Sequence, residues 1–289
     1  MKTIKGKILV TGADGQLGQA FAEILKKKKI DSLCLQKKQL DITDQIKLEE
    51  IIKKYRPDFL INCAAYNDVD KAEKNKKTAF LINATGVRNL AQTCQRNNCI
   101  LVHYGTDYVF DGKKSSPYKT TDIPHPLNKY GRSKLQGEKY VQKLCVKYYL
   151  IRLSSLFGNN PTASFPLKLL TWIKNKKEIS IVANQVFSPT FTKDVVKMTL
   201  KLITTDKYGL YHLTNSGYCS RYEWAKFILK EIKWPGKIFS VKGKKFEIQA
   251  ERPRFSVLDN YLTEKILKCK MPSWQKATRA FLKEMNLKK

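Results

Sequence analysis

The chain has 289 residues, of which 42% are hydrophobic and 28% are charged, and its formal net charge is +30. This composition excludes an intrinsically disordered chain, and the lack of an 18-residue apolar run without charges excludes a membrane-spanning helix. Seven cysteines without a C-x-x-C pair and three widely separated histidines argue against a disulfide framework and a metal site. Since no signal peptide is visible, we expect a cytoplasmic protein with reduced thiols.

The positive charge is the unusual feature of the composition. It comes from 46 lysines and nine arginines, which are spread along the whole chain. Arginine is the residue suited to bidentate recognition of guanine and phosphate, so its scarcity argues against a specific nucleic-acid footprint. We expect no specific nucleic-acid partner, and the charge should instead attract anionic substrates.

The N-terminal segment has the pattern of a dinucleotide-binding turn. A short β-branched run, residues 7–11, leads into a G-x-x-G-x-x-G turn formed by Gly12, Gly15 and Gly18, and an amphipathic helical pattern follows. Such a turn lets the backbone approach a cofactor pyrophosphate at a helix N-terminus. Its position between a predicted strand and a predicted helix therefore predicts a bound dinucleotide.

The residues that follow the second predicted strand, Ser32–Leu35, indicate the preference between NAD and NADP. NAD-selective proteins usually place an acidic residue there, which binds the ribose 2′-hydroxyl. This chain has Lys37 and Lys38 instead, and these lysines could meet a 2′-phosphate. The sequence therefore favours NADPH and leaves NADH as the alternative.

Helical and strand patterns then alternate along the first half of the chain. Thr43 or Asp44 is placed to cap an amphipathic helix, strands are predicted over residues 58–62 and 100–104, and a helix is predicted over 79–97. This alternation predicts an α/β fold with a doubly wound parallel sheet of the Rossmann type.

Polar groups of catalytic character follow the strand predicted over 100–104. Thr106 and Asp107 come at its carboxyl end, where the functional groups of open parallel sheets cluster. Tyr130 and Lys134 form a Y-x-x-x-K pair on one face of a predicted helix. Because a nearby ammonium favours the phenolate, we expect Lys134 to lower the pKa of Tyr130 and to ease proton exchange near neutral pH. Thr106 could hold a substrate oxygen or share a hydrogen bond with Tyr130.

The C-terminal half is less regular. We expect residues 1–155 to form an NADP(H)-binding Rossmann domain and residues 156–289 to form mainly a smaller substrate-binding lobe, with about 180–205 returning to the first domain. Arg252 lies in a loop of the expected substrate lobe. Its guanidinium could bind a substrate diphosphate or form a surface ion pair.

The stretch 102–138, which contains TDYVFDG and PLNKYGRSK, resembles the dTDP-4-dehydrorhamnose reductase family of extended short-chain dehydrogenases/reductases. The resemblance extends over nearly the whole chain, with further matching pieces at residues 62–66, 69–73, 188–190, 209–213, 252–256 and 272–274. It implies that hydride from NADPH or NADH reduces the C4 ketone of a nucleotide-linked deoxysugar, as in the step from dTDP-4-dehydro-L-rhamnose to dTDP-L-rhamnose in polysaccharide biosynthesis.

The resemblance also implies roles for single residues. Tyr130 would be the proton donor, Lys134 would bind the nicotinamide ribose, and Thr106 with Asp107 would contact the sugar. The residues implied along the cofactor are Gly15, Gln16, Leu17, Asp41, Ile42, Ala65, Tyr66 and Asn67, and Ala64 lies in the same small-residue turn.

Three positions depart from the family pattern. Gly105 stands where members usually have Ser. Ser155 stands where several members have a Trp near the sugar ring, so the identity of the substrate sugar stays open. Some members bridge a dimer through magnesium with a Glu at the position of Ala20, and its replacement predicts no such metal.

Two alternatives to a reductase stay open. A nucleotide-sugar epimerase could use the same tyrosine with a retained cofactor, whereas a dehydratase is disfavoured because Tyr108, not Glu, follows Asp107. The regulatory subunit of methionine adenosyltransferase has this fold and similar motifs, so a non-catalytic NADP-binding subunit is the second alternative. We expect a nucleotide-sugar ligand and a monomer or homodimer.

Overall fold

A parallel β-sheet with helices on both faces forms the centre of the protein. The computed structural model describes residues 4, 6–160, 164–242 and 250–287. The strands are β1 (Ile8–Thr11), β2 (Ser32–Leu35), β3 (Phe59–Asn62), β4 (Ile100–Thr106), β5 (Tyr148–Leu153), β6 (Leu156–Phe157), β7 (Glu178–Val182), β8 (Val186–Phe187), β9 (Thr190–Phe191), β10 (Gly209–His212), β11 (Cys219–Ser220) and β12 (Lys237–Val241). The helices are α1 (Gln16–Lys27), α2 (Gln45–Tyr55), α3 (Lys71–Lys74), α4 (Lys76–Phe80), α5 (Val87–Arg96), α6 (Lys129–Leu144), α7 (Phe165–Ile173), α8 (Thr192–Leu202), α9 (Arg221–Glu231), α10 (Tyr261–Leu267) and α11 (Trp274–Glu284).

The large sheet has six parallel strands in the order β10-β5-β4-β3-β1-β2. The chain therefore starts near one edge and winds outward in both directions, which confirms the predicted doubly wound Rossmann fold. Pairing in register brings Thr11 of β1 level with Asn62 of β3, and Asn62 level with His103 of β4. Because β4 runs three residues further, Thr106 lies at the carboxyl edge of the sheet, where ligands of such sheets bind.

The first turn packs the backbones of three elements against one another. Gly12 has a φ of 65°, and a Cβ there would lie 2.6 Å from the backbone nitrogen of Ala64. A Cβ on Gly18 would overlap the Gly12 carbonyl oxygen. Gly15 is the N-cap of α1 and offers no side chain to its first N–H groups. The glycine turn therefore brings β1, α1 and the loop after β3 together and leaves the helix N-terminus open to a ligand.

The structure decides between the two caps that the sequence offered for α2, and it differs in detail from one predicted helix. Asp44, not Thr43, caps α2 by accepting a hydrogen bond from the backbone of Lys47 (3.0 Å). The helix predicted over 79–97 starts earlier and is interrupted by a wide π-helical turn, Leu81–Gly86. In that turn Asn83 hydrogen-bonds the backbone of Tyr66 and the Ser133 hydroxyl, so the irregular turn connects the cofactor loop with α6. Such a π-turn is invisible to a 3.6-residue pattern.

The C-terminal half contributes to two hydrophobic cores. Helix α8 packs on α1, and β10 adds the sixth strand of the large sheet, which the sequence pattern did not predict. The other core surrounds Trp224, Phe157 and Phe281, and β7 pairs with β12 beside it. The division of the chain at residue 155 stays a prediction. Among the later elements, β10 belongs to the large sheet, and α8 and α10 pack beside it.

Three global features bear on the expectations from composition. All seven cysteines are free thiols. Within the described residues, no helix is both long enough and apolar enough to cross a bilayer. The same residues contain no group of three or more His, Cys, Asp or Glu side chains suited to a metal ion, and the expectation of a metal-free protein stays a prediction.

Candidate active site

The carboxyl edge of the large sheet opens into two adjoining cavities. The larger has a volume of about 720 Å³ and extends from Gly15 in the glycine turn to Tyr130 and Lys134 on α6. The smaller, of about 530 Å³, extends from Gly15 past Ala64 to Lys37. Both share residues of the glycine turn and of the loop after β3, so one continuous groove joins a nucleotide-sized recess to the Tyr–Lys pair.

Most of the expected cofactor residues lie along this groove. Those that line one cavity or both are Gly12, Gly15, Gln16, Leu17, Lys37, Asp41, Ile42, Ala64, Ala65, Tyr66, Asn67, Tyr130 and Lys134. Gly18 and Lys38 line neither cavity. Gly18 instead packs α1 on the turn, and Lys38 is exposed to solvent.

Several features of the groove fit a dinucleotide. The first turn of α1 presents free N–H groups next to a glycine turn that has no room for side chains, which suits a pyrophosphate. The Gln16 Oε1 atom is buried without a hydrogen-bond partner among the described residues, as expected for a group that meets a ligand. Lys37 adds a cation at the far end, 3.8 Å from Asp41, and its side chain is 69% exposed.

Lys134 is a buried cation below the groove. Asn128 caps α6 by accepting a hydrogen bond from the Gly131 N–H (2.8 Å), which places Tyr130 and Lys134 on successive turns of the helix. The Lys134 ammonium is 4% exposed and donates to the Tyr104 carbonyl at 2.6 Å. Burial lowers the pKa of Lys134 to about 8, against the opposing effect of the Glu138 carboxylate.

The pKa of Tyr130 moves opposite to the expectation. Burial raises it above the ordinary value near 10, a hydrogen bond with the Thr106 side chain opposes the rise, and the Asp107 carboxylate adds to it. The expected lowering of this pKa is not found, because withdrawal of the phenol from water has the largest effect on it. Tyr130 is therefore held protonated at neutral pH, which is the form that a proton donor needs.

Thr106 and Asp107 belong to a buried hydroxyl–carboxylate network. Asp107, which is 3% exposed, accepts hydrogen bonds from Thr106 (3.1 Å), Ser154 (2.9 Å) and Ser256 (2.6 Å). Burial raises the pKa of Asp107 to about 6, and these three hydroxyls oppose the rise. Thr106 donates its hydroxyl proton to Asp107 and accepts a hydrogen bond from the Tyr108 N–H.

A buried ion pair lies beneath the Tyr–Lys pair. Arg152 on β5 donates to Glu138 on α6, where Nη2 and Nε reach Oε2 at 2.8 and 3.0 Å and Nε also reaches Oε1 at 3.3 Å. The two side chains are 3% and 0% exposed. Since Glu138 lies one helical turn beyond Lys134, its carboxylate contributes to the electrostatics of the site from within the core.

The substrate side of the larger cavity carries two arginines. The predicted Arg252 lines it and forms a bidentate ion pair with Asp70, at 3.0 and 2.6 Å. Arg221, which the sequence reasoning missed, lines it as the first residue of α9, and its guanidinium lies over the Phe165 and Phe187 rings at 4.9 and 5.0 Å. The scarcity of arginine in this lysine-rich chain was the signal that could have drawn attention to it.

Comparison with known proteins identifies the family. The family model described as the RmlD substrate binding domain matches residues 6–287. A dTDP-4-dehydrorhamnose reductase from Aggregatibacter actinomycetemcomitans is 34% identical over 286 residues, covering 94% of this chain and 97% of the relative.

This chain belongs to the RmlD family. The spore coat polysaccharide biosynthesis protein SpsK of Bacillus subtilis is 36% identical over 278 residues, covering 96% of this chain and 97% of SpsK. The crystal structure of the Bacillus anthracis dTDP-4-dehydrorhamnose reductase in complex with NADP superposes with a TM-score of 0.93 at 37% identity, covering 97% of this chain and 100% of that one.

The structure explains one departure from the RmlD pattern and locates another. A Cβ on Gly105 would overlap Glu138 Oε1 and lie 2.9 Å from Arg152 Cγ, so glycine makes room for the buried ion pair. Ser155 lines the larger cavity and has a φ of 42°, an uncommon backbone conformation for a residue with a side chain. Within this RmlD-family chain, Ser155 therefore presents a small hydroxyl to the cavity from a constrained turn.

Proposed function

We propose that the protein is a cytoplasmic NADPH-dependent reductase of the C4 ketone of a nucleotide-linked deoxysugar, converting dTDP-4-dehydro-L-rhamnose to dTDP-L-rhamnose. The observation that carries the proposal is the shared cavity in which Gly15 and Gln16 of the dinucleotide turn face Tyr130 and Lys134. Support comes from the full-length similarity to the reductases described above. The oligomeric state, monomer or homodimer, stays a prediction, as does the absence of a nucleic-acid partner.

The groove residues are assigned to the cofactor from one end to the other. The glycine turn and the α1 N-terminus would hold the pyrophosphate, and Lys37 would attract the 2′-phosphate that distinguishes NADPH from NADH. Lys134 would hold the nicotinamide ribose. NADPH, when bound, supplies the hydride that reduces the ketone carbon.

Tyr130 is assigned as the proton donor. The phenol is protonated at neutral pH, so the hydroxyl can give its proton to the ketone oxygen while the carbonyl double bond becomes a single bond. Thr106 hydrogen-bonds Tyr130 in the resting site and holds the phenol in place. When the ketone oxygen enters, Tyr130 exchanges this partner for the substrate, and Asp107 keeps Thr106 oriented.

The arginines are assigned to the substrate diphosphate. Arg221 and Arg252 line the same cavity as Tyr130, and guanidinium groups suit bidentate phosphate binding. Asp107 and Ser155 line the sugar end of this cavity. Since all three hydroxyl contacts of Asp107 are within the protein, we assign it to orienting Thr106 as well as to sugar binding.

The test is incubation of the purified protein with NADPH and a panel of nucleotide 4-ketosugars, with product identification by mass spectrometry and NMR. We expect stoichiometric oxidation of NADPH and formation of dTDP-L-rhamnose. An epimerase would change the sugar without consuming NADPH. A regulatory subunit would bind NADPH, reduce no ketosugar and retain a synthetase in a pull-down, and either result would overturn the proposal.

A variant pair tests the assignment of the proton donor. Tyr130→Phe removes the hydroxyl, so turnover should fall by roughly 10²–10⁴-fold while NADPH affinity stays close to wild type. Tyr140→Phe, on the same helix but outside both cavities, is the matched control and should retain full turnover. Near-normal turnover of Tyr130→Phe would remove Tyr130 from the mechanism.

A further inference from the structure

Arg252 forms a bidentate ion pair with Asp70. The two carboxylate oxygens of Asp70 accept from both Nη atoms of the guanidinium, at 3.0 and 2.6 Å, and Nη1 also donates to the Ala250 carbonyl at 3.1 Å. One long edge of the guanidinium is thereby occupied. The other edge, formed by Nε and the second hydrogen of Nη2, is left for Tyr108 and for a ligand in the cavity.

The segments that contain Asp70 and Arg252 are also hydrogen-bonded to the start of α6, the helix that carries Tyr130. The Asp70 carboxylate accepts from the Ala250 N–H at 3.2 Å, and Asn128, the N-cap of α6, donates to the Glu251 carbonyl at 2.7 Å. Glu73, one turn after Asp70, accepts from the first N–H of α6 at 2.7 Å. The loop of Arg252 and the start of α6 are therefore hydrogen-bonded to each other and to residues 70–73.

We propose that Asp70 is a positioning residue for nucleotide-sugar binding, which holds the Arg252 guanidinium in the orientation that accepts the substrate diphosphate. The inference rests on the proposed function, in which Arg252 binds that diphosphate. A flexible arginine loses conformational freedom when it binds an anion, and Asp70 removes that freedom before the substrate arrives. Because Asp70 occupies only one edge of the guanidinium, it orients the cation and leaves the other edge for phosphate oxygens.

The test is the affinity for dTDP, measured by titration calorimetry, together with steady-state kinetics. Asp70→Asn should raise the Kd for dTDP and the KM for the ketosugar by roughly 5- to 20-fold, with kcat within about twofold of wild type. The Kd for NADPH should not change, which also shows that the variant is folded. The matched control is Asp122→Asn, which breaks a partly buried ion pair with Lys114 outside both cavities and should leave the dTDP affinity unchanged.

A double-mutant cycle separates positioning from a general structural effect. In the Arg252→Gln background, Asp70→Asn should weaken dTDP binding by no more than about twofold, because there is no guanidinium left to orient. If both single variants weaken binding but their effects add in the double variant, Asp70 does not act through Arg252 and the inference is wrong. Should Asp70→Asn fail to fold, Asp70→Glu takes its place, since the extra methylene displaces the guanidinium and predicts the same loss of dTDP affinity.

The outcomes distinguish this inference from the function on which it rests. If Arg252→Gln leaves dTDP binding unchanged, the diphosphate assignment of Arg252 fails. If Arg252→Gln weakens binding while Asp70→Asn leaves it unchanged or tightens it, Asp70 competes with the substrate or plays no part, and only the inference on Asp70 fails.

Discussion

Replacement of Glu138 by Gln isolates the charge that lies beneath the Tyr–Lys pair. The glutamine keeps the size of the side chain and one acceptor oxygen, but it removes the negative charge that faces Arg152. Arg152 is 3% exposed, and its Nη1 is already buried without a hydrogen-bond partner among the described residues. In the variant, a guanidinium charge is therefore left in the core with no carboxylate to balance it.

The expected loss of stability follows from this geometry. Breaking a buried ion pair by removing one partner costs about 3–5 kcal/mol, and because glutamine still accepts a hydrogen bond we expect the lower end of that range. For a chain of this length, about 3 kcal/mol lowers the Tm by roughly 6–12 °C in a thermal scan. Glu50→Gln, an exposed glutamate on α2, is the control and should change the stability by less than about 0.5 kcal/mol.

The same substitution should also move the pH dependence of activity. Glu138 raises the pKa of Lys134, so its loss lowers that pKa further below about 8. A smaller fraction of Lys134 is then charged at neutral pH, and the alkaline limb of kcat/KM should shift to lower pH. A folded Glu138→Gln protein with a Tm within about 2 °C of wild type would refute the argument on stability. An unshifted alkaline limb would show that the Glu138 charge does not reach Lys134.

Two further predictions concern the cofactor groove and the hydroxyl network. Lys37→Asp should weaken the binding of NADPH relative to that of NADH by roughly 5- to 10-fold. Lys38→Asp should change this affinity ratio little, because Lys38 lies outside the groove. Equal effects of the two variants in a fluorescence titration would contradict the assignment. Asp107→Asn should be most stabilising above pH 6. The ionised Asp107 costs roughly 3 kcal/mol there, since its pKa is about 6 when folded and near 3.9 when unfolded. This cost develops as the pH rises from about 4 to 6, so in urea unfolding the stability difference between wild type and variant should grow across that window and level off above it. A stability difference that does not change with pH would refute the prediction.

The local elements could be read from the sequence because their signals lie within a few residues of one another. The glycine turn, the capping of α2 and the Y-x-x-x-K pair each depend on spacings of three to six positions, and all three are found in the structure. The β–α alternation likewise predicted strands β1 to β4, whereas no strand was predicted at β5. Strand β10 lacked such a signal, because its sequence, Gly-Leu-Tyr-His, contains a glycine and no β-branched residue.

The chemistry of the site was decided by contacts between distant parts of the chain. The sequence placed an ammonium near a phenol and so predicted an acidic Tyr130, but burial, which no local pattern reveals, raises its pKa instead. Asp70 and Arg252 are 182 residues apart, and Arg221 reaches the same cavity from another helix. Chain periodicity determines which elements form, whereas the dielectric surroundings and ion-pair partners of a side chain depend on which elements fold against it, and only the tertiary structure contains that information.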